Sequence, residues 1–258
     1  MTPLSPFHLL FKRTVGRYAE RFLFFLILGA LTGIVPSAIV LLGLFPAMLG
    51  TEPGQLDLIS SNLIRIIALL LSFVLLAPLQ ISLAFAATGR LTNPLAFKNG
   101  LIHSHEWLGT SLLTSLALIV PAVLIAPGAF LGTRLAFVLP VIVSEKKTGF
   151  SALRRSNDLV RGRSFQIFIF LLGFGIFSAA ISLPLWLIPT SWLGNLASFT
   201  VSSLVVVPLF IIFLQVLYED LCRASPAQKG PPETYFFHKV LVGLGSIIFL
   251  LTLFKAAF

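Results

Sequence analysis

Residues 107–144 read WLGTSLLTSLALIVPAVLIAPGAFLGTRLAFVLPVIVS, a 38-residue run in which Arg134 is the one charged position. As a single helix this run would be about 57 Å long at ~1.5 Å per residue. That is nearly twice the hydrocarbon thickness of a bilayer, about 30 Å. Ala126-Pro127-Gly128 stands near its middle, and proline followed by glycine interrupts a helix. The run therefore divides into two short spans, 107–126 and 128–144.

Working outward, further long apolar runs cover 22–46, 59–87, 165–188, 195–217 and 237–256. The chain of 258 residues is 57% apolar and 10% charged, with a mean hydropathy of +1.00 and a net charge of +9. A soluble domain carries roughly 25% charged residues, and one soluble core of this size could not conceal so much apolar surface. This composition excludes a soluble enzyme, a coiled coil, a disordered tail and a conventional DNA-binding domain. The fold class is all-α, a polytopic transmembrane bundle of about seven spans in three hairpins plus one, forming a single membrane domain over 1–258.

Charge placement supports the hairpin reading. Lys12, Arg13, Arg17 and Arg21 precede the first span, and Arg90 and Lys98 lie between the second and third. Lys146, Lys147, Arg154, Arg155, Arg161 and Arg163 follow the fourth, and Arg223, Lys229 and Lys239 follow the sixth. Fifteen of the 18 basic residues thus fall on one side, while the opposite loops hold Glu52, Asp57 and the uncharged Pro189-Thr190-Ser191-Trp192. The positive-inside bias places the N-terminus in the cytoplasm. The first apolar run is longer than the ~7–15 residues of a cleavable signal, so it reads as an uncleaved span. Lys255 makes the last span, 237–256, the least regular.

The pattern also suggests internal repetition near 5–92, 93–147 and 148–224. Each unit opens on an amphipathic lead-in, begun by Ser5-Pro6, Asn93-Pro94 and Thr148-Gly149. A capping side chain followed by proline is a start signal for the first two. In the first lead-in, Phe7, Leu10, Phe11, Thr14, Val15, Tyr18 and Phe22 recur at helical spacing, as an interfacial helix requires. Segment 149–163 sets Phe150, Leu153 and Val160 against Arg154, Arg155, Asp158 and Arg161. Two readings of its basic residues, Arg154, Arg155, Arg161 and Arg163, stay open: ordinary positive-inside anchoring, or recognition of anionic headgroups or a partner.

The stretch from Arg134 to Arg163, RLAFVLPVIVSEKKTGFSALRRSNDLVRGR, carries Arg134, Pro140 and Glu145, then Ser156, Leu159 and Gly162. It resembles the membrane domain of bacterial glycerophosphoryl diester phosphodiesterases and its stand-alone relatives. In that family an Arg, a Pro and an acidic residue end one span, and a Ser-x-x-Leu-x-x-Gly helix leads into the next. The family's catalytic domain is a separate soluble barrel, for which this chain has no room. The resemblance implies a membrane module and does not imply phosphodiesterase activity.

Few residues of the sequence carry recognisable chemistry. His103-Ser104-His105-Glu106 is the one histidine cluster, but on a helix its imidazoles point about 200° apart. No HExxH, GxSxG or phosphate-loop pattern occurs, and Cys222 stands alone. All nine carboxylates fall in loops or at span ends, which disfavours a proton-driven pump. No cofactor, metal or nucleic acid is expected. Two arginines stand apart, Arg65 and Arg134, each about six residues inside a span from the charge-poor side, or about 9 Å. They either snorkel to the outer headgroups or converge on an outer-leaflet site for a phosphate or carboxylate. The expected role is non-enzymatic: binding anionic lipid or a partner in envelope homeostasis. The alternative is a permease for a small or lipidic solute, which needs a polar cavity drawing on Gln80, Gln166 or Gln215.

Overall fold

A computed structural model describes residues 4–33, 55–122, 125–186, 200–224 and 239–246, with the side chains of most of 55–70, of 120 and 122–127, and of 185–186 outside the described set. The described residues are all-helical, without strands. Three times among the described residues a lead-in helix is joined through a brief break to an apolar one. Helix α1 (Phe7–Glu20) meets α2 (Phe22–Gly33) at Arg21. Later, α4 (Asn93–Ile102) meets α5 (Ser104–Ala122) at His103, and α8 (Gly149–Val160) meets α9 (Ser164–Trp186) across Arg161-Gly162-Arg163. Gly162 has φ +80 in that last break, a left-handed conformation in which a side chain would be strained.

After each pair comes a helix that carries a proline. These are α3 (Gln55–Ala87, with Pro78), the pair α6 (Ile125–Leu135) and α7 (Val138–Glu145, with Pro140), and α10 (Ser202–Ala224, with Pro208). A last segment, α11, covers 239–246. Each lead-in helix packs on the proline-bearing helix before it in the cycle: α4 on α3, α8 on α6 and α7, and α1 on α10, which closes a ring.

The prolines explain the seams of this ring. Proline lacks an N–H, and its ring crowds the carbonyl four residues earlier. Pro140 accordingly breaks the helix at Ala136-Phe137. Fully buried Ser156 of α8 fills the gap, accepting the Phe137 N–H at 3.2 Å and donating to the Arg134 carbonyl at 2.7 Å. Pro208 crowds the Leu204 carbonyl, and the chain widens there into a π turn over Ser202–Val206. The Tyr18 hydroxyl of α1 donates to that Leu204 carbonyl at 3.0 Å. Burial pushes the Tyr18 phenol up, so it stays a neutral donor. At Pro78, α4 comes so close that a Cβ on Gly100 would collide with Ser82 and the Pro78 carbonyl.

The proline-bearing helices form the interior. Leu79, Ile81 and Leu83 of α3, Phe137 to Val143 around α7, and Ile211 to Leu217 of α10 are all buried. Outside, α9 turns Phe165, Ile169, Leu172 and Ile176 to the surroundings, a stripe at helical spacing. Three helices among the described residues are long and apolar enough to cross a membrane: Gly128–Glu145, Ser164–Pro184 and Ser202–Ala224.

Several expectations are corrected. Ala126, Pro127 and Gly128, expected to interrupt the run, lie within α6 (Ile125–Leu135), while residues 123–124 fall outside the described set. The stretch 128–144 is itself broken, at 136–137. The Gly149 N–H donates to Thr110 Oγ1 at 2.8 Å, so the chain leaving along α5 returns beside its starting point. Ser5 does not cap α1; its N–H and hydroxyl donate to Asp220 at 2.8 and 2.9 Å. The apolar face of α1 buries Leu10, Thr14 and Tyr18 in the protein, and Phe7 and Phe11 meet Phe213 and Phe177 at ring distances of 5.8 and 4.8 Å.

Candidate functional site

The C-terminal ends of α3, α7 and α10 converge on an open cleft of about 820 Å³. Helix C-termini leave unpaired carbonyls and a partial negative charge, so this end of the bundle demands cations. Two arginines of the α1–α2 junction meet that demand at α3. Arg17 donates to the Ala87 carbonyl at 3.0 Å, and Arg21 donates to the carbonyls of Leu91, Gly89 and Ala86 at 2.6, 3.2 and 3.5 Å. Arg17 also forms a two-pronged pair with Glu219, Nη1–Oε1 2.9 Å and Nη2–Oε2 2.6 Å, the geometry in which guanidinium binds carboxylate most strongly.

A second acid anchors the neighbouring seam. Glu145, at the end of α7, accepts Arg155 Nε at 2.6 Å and the Tyr218 hydroxyl at 3.0 Å on one oxygen, and Lys147 Nζ at 2.7 Å on the other. Burial works against the Arg155 cation, but the hydrogen bond and charge of Glu145 outweigh it and raise its pKa. The two Arg–Glu pairs do the same work, each tying a lead-in helix to the end of an inner helix. Between them Gln215 is 2% exposed and donates to Ser144 at 3.2 Å and Glu219 at 3.4 Å.

Three cations at the cleft remain without a carboxylate: Arg90, Lys146 and Arg223. Each is exposed and makes no side-chain hydrogen bond or ion pair among the described residues. Their positions repeat. Arg90 follows the end of α3, Lys146 directly follows α7, and Arg223 stands in the last turn of α10. With Glu219 held by Arg17, the mouth of the cleft carries an excess of positive charge.

The residues singled out from the sequence are distributed otherwise. Arg134 stands in the last turn of α6, with its guanidinium carbon 4.2 Å from the centre of the Phe130 ring. Its buried Nε has no hydrogen-bond partner among the described residues, and its carbonyl accepts the Ser156 hydroxyl of α8. It therefore sits beside α8 and the basic lead-in. The side chain of Arg65 lies outside the described residues, as do Glu52 and the 189–192 loop. On α8, Arg155 is taken by Glu145 and Arg154 pairs with Asp158 at 3.8 Å; in the break that follows, Arg161 is exposed and Arg163 is half-buried. Of the positions that carry the resemblance, Pro140 and Ser156 build the seam, Leu159 is buried, Glu145 accepts Arg155 at the end of α7, and Gly162 stands exposed in the α8–α9 break.

His103 Nδ1 lies 3.1 Å from Glu106, and among the described residues no group of three His, Cys, Asp or Glu is placed to hold a metal. Gln80 accepts the Trp107 indole N–H at 3.0 Å and Gln166 is exposed on α9; of the three glutamines, Gln215 lines the cleft. Sequence reasoning treated Arg17, Arg90, Lys146 and Arg223 as topology signals. Arg90 and Lys146 follow the ends of α3 and α7 and Arg223 stands in the last turn of α10, and that repeated placement was the cue to more. No family model, curated protein or solved structure matches this chain.

Proposed function

We propose that this chain is a multi-pass protein of the bacterial cytoplasmic membrane that acts without catalysis, by holding an anionic headgroup in the basic cleft at its cytoplasmic end. On this reading it has seven spans in three hairpins plus one, an N-terminus inside, and a kinship with the membrane domain of glycerophosphoryl diester phosphodiesterases. Its role is in envelope or lipid homeostasis.

One observation carries the reading: three cations without carboxylate partners, contributed by successive parts of the chain, share one open cleft with a single, already neutralised acid. The cytoplasmic leaflet is anionic, and each nearby basic side chain adds about 1 kcal/mol of attraction. Topology signals alone require cations near the surface. They do not require them to converge.

The test is retention of lipid by the full chain in nanodiscs, read by native mass spectrometry. Anionic glycerophospholipid should be retained over phosphatidylcholine, and the combined variant Arg90→Gln, Lys146→Gln, Arg223→Gln should lose that preference while keeping its helical circular dichroism. Equal retention of both lipids by the unaltered chain overturns the reading. The permease alternative has one observation in its favour, the presence of Gln215 in the cleft wall. It requires solute flux through reconstituted vesicles.

A further inference from the structure

Resting on the headgroup reading above, we infer that the cleft selects a terminal phosphate, a phosphomonoester or diphosphate end, over a phosphodiester headgroup. The argument is one of charge matching. The three cations Arg90, Lys146 and Arg223 bring three positive charges to the cleft, and the Arg17–Glu219 pair brings none in sum. Against them stand helix C-termini, each equivalent to about −0.5 elementary charge. The end of α3 is answered by Arg21, which bonds the Ala86 carbonyl of α3 and the Gly89 and Leu91 carbonyls of the loop that follows, and has no carboxylate partner among the described residues. The ends of α7 and α10 remain, for about −1; that of α4 runs through His103 into the N-terminus of α5 and cancels. The cleft is thus left with a surplus of about +2.

A phosphodiester carries a single negative charge and leaves part of that surplus uncompensated. A terminal phosphate carries about −1.5 to −2 at neutral pH, together with three acceptor oxygens. Three oxygens facing three donors that stand around one mouth is also the better geometric match. Arg90 and Arg223 supply planar forks suited to oxyanions, and Lys146 supplies a point charge. A cleft of about 820 Å³ is far larger than a bare phosphate requires, which leaves space for the group that the phosphate terminates.

That terminal phosphate belongs either to a lipid or to a soluble ester, and the chemistry is shared. The experiment uses the full chain in phosphatidylcholine nanodiscs doped with phosphatidic acid or with phosphatidylglycerol, which differ in whether the phosphate is esterified a second time. Phosphatidic acid should be retained about tenfold more tightly, the scale set by one additional charge facing several cations. Single variants Arg90→Gln, Lys146→Gln and Arg223→Gln should each reduce the difference with helicity unchanged. Glycerol 3-phosphate is then added as a soluble competitor. Displacement of phosphatidic acid assigns the site to soluble esters, and failure to displace it assigns the site to lipid; both outcomes support terminal-phosphate selection. Equal retention of phosphatidic acid and phosphatidylglycerol overturns the selectivity while leaving the headgroup reading intact. Retention of neither above phosphatidylcholine overturns both.

Discussion

The most apolar 18-residue stretches of helices α9 and α10 have almost the same mean hydropathy, 2.2 and 2.1, yet 17% of the first and 67% of the second is buried within the protein. Apolar content cannot distinguish them, because lipid tails are as apolar as a protein core. The polar residues can. Helix α10 carries Gln215, Tyr218, Glu219 and Asp220, and each has a partner on another part of the chain: Ser144, Glu145, Arg17 and Ser5. Helix α9 ties itself down through an apolar stripe, Ile167, Phe170 and Phe174, and leaves the rest facing outward. Of two equally greasy helices, the one with hydrogen-bonding side chains became the centre.

The sharpest way to break this contrast is to make the same truncation on both. Ile212→Ala removes a fully buried side chain of α10, and Ile176→Ala removes one that is 63% exposed on α9. The first should cost about 2–4 kcal/mol and the second at most about 0.5 kcal/mol, measured by reversible unfolding in mixed micelles. Equal losses would show that burial inside this bundle carries no weight.

Gly100→Ala should come next. The added methyl meets Ser82 and the backbone of Pro78, and overpacking of that kind costs about 1–3 kcal/mol. Gly132→Ala on α6 meets nothing within 4 Å and should leave the melting midpoint unchanged or slightly raised. A neutral Gly100→Ala would mean that α4 is free to move off α3.

The two Arg–Glu seams can be ranked against each other. Arg17→Gln leaves Glu219 with Gln215 alone, whereas Arg155→Gln leaves Glu145 with Lys147 and Tyr218. Arg17→Gln should therefore be the more damaging by about 1 kcal/mol, in the same micelle assay. The reverse order would assign the closing of the ring to α8. Arg154→Ala, which removes a 3.8 Å pair on a side chain 37% exposed, should shift stability by about 0.5 kcal/mol or less.

Composition and charge spacing determined the class of this protein without any help from geometry. A chain with so little charge can satisfy its backbone in an apolar medium only by helices or a closed barrel, and the proline and glycine signals marked where three lead-in helices begin. Those signals are local: a missing N–H or a capping position acts on its own turn. Pro140 was legible as part of a motif, yet the break it causes at 136–137 was not, because the break is stabilised by Ser156, a partner nineteen residues away from Phe137. The cleft was illegible for the same reason. Arg90, Lys146 and Arg223 each read as an ordinary cation beside a helix end. Only the closing of α1 onto α10 by Arg17–Glu219 and Ser5–Asp220, contacts spanning more than 200 residues of sequence, brings the three helix ends to one place. Convergence of that kind is a property of packing, set by which long-range pairs satisfy buried charge.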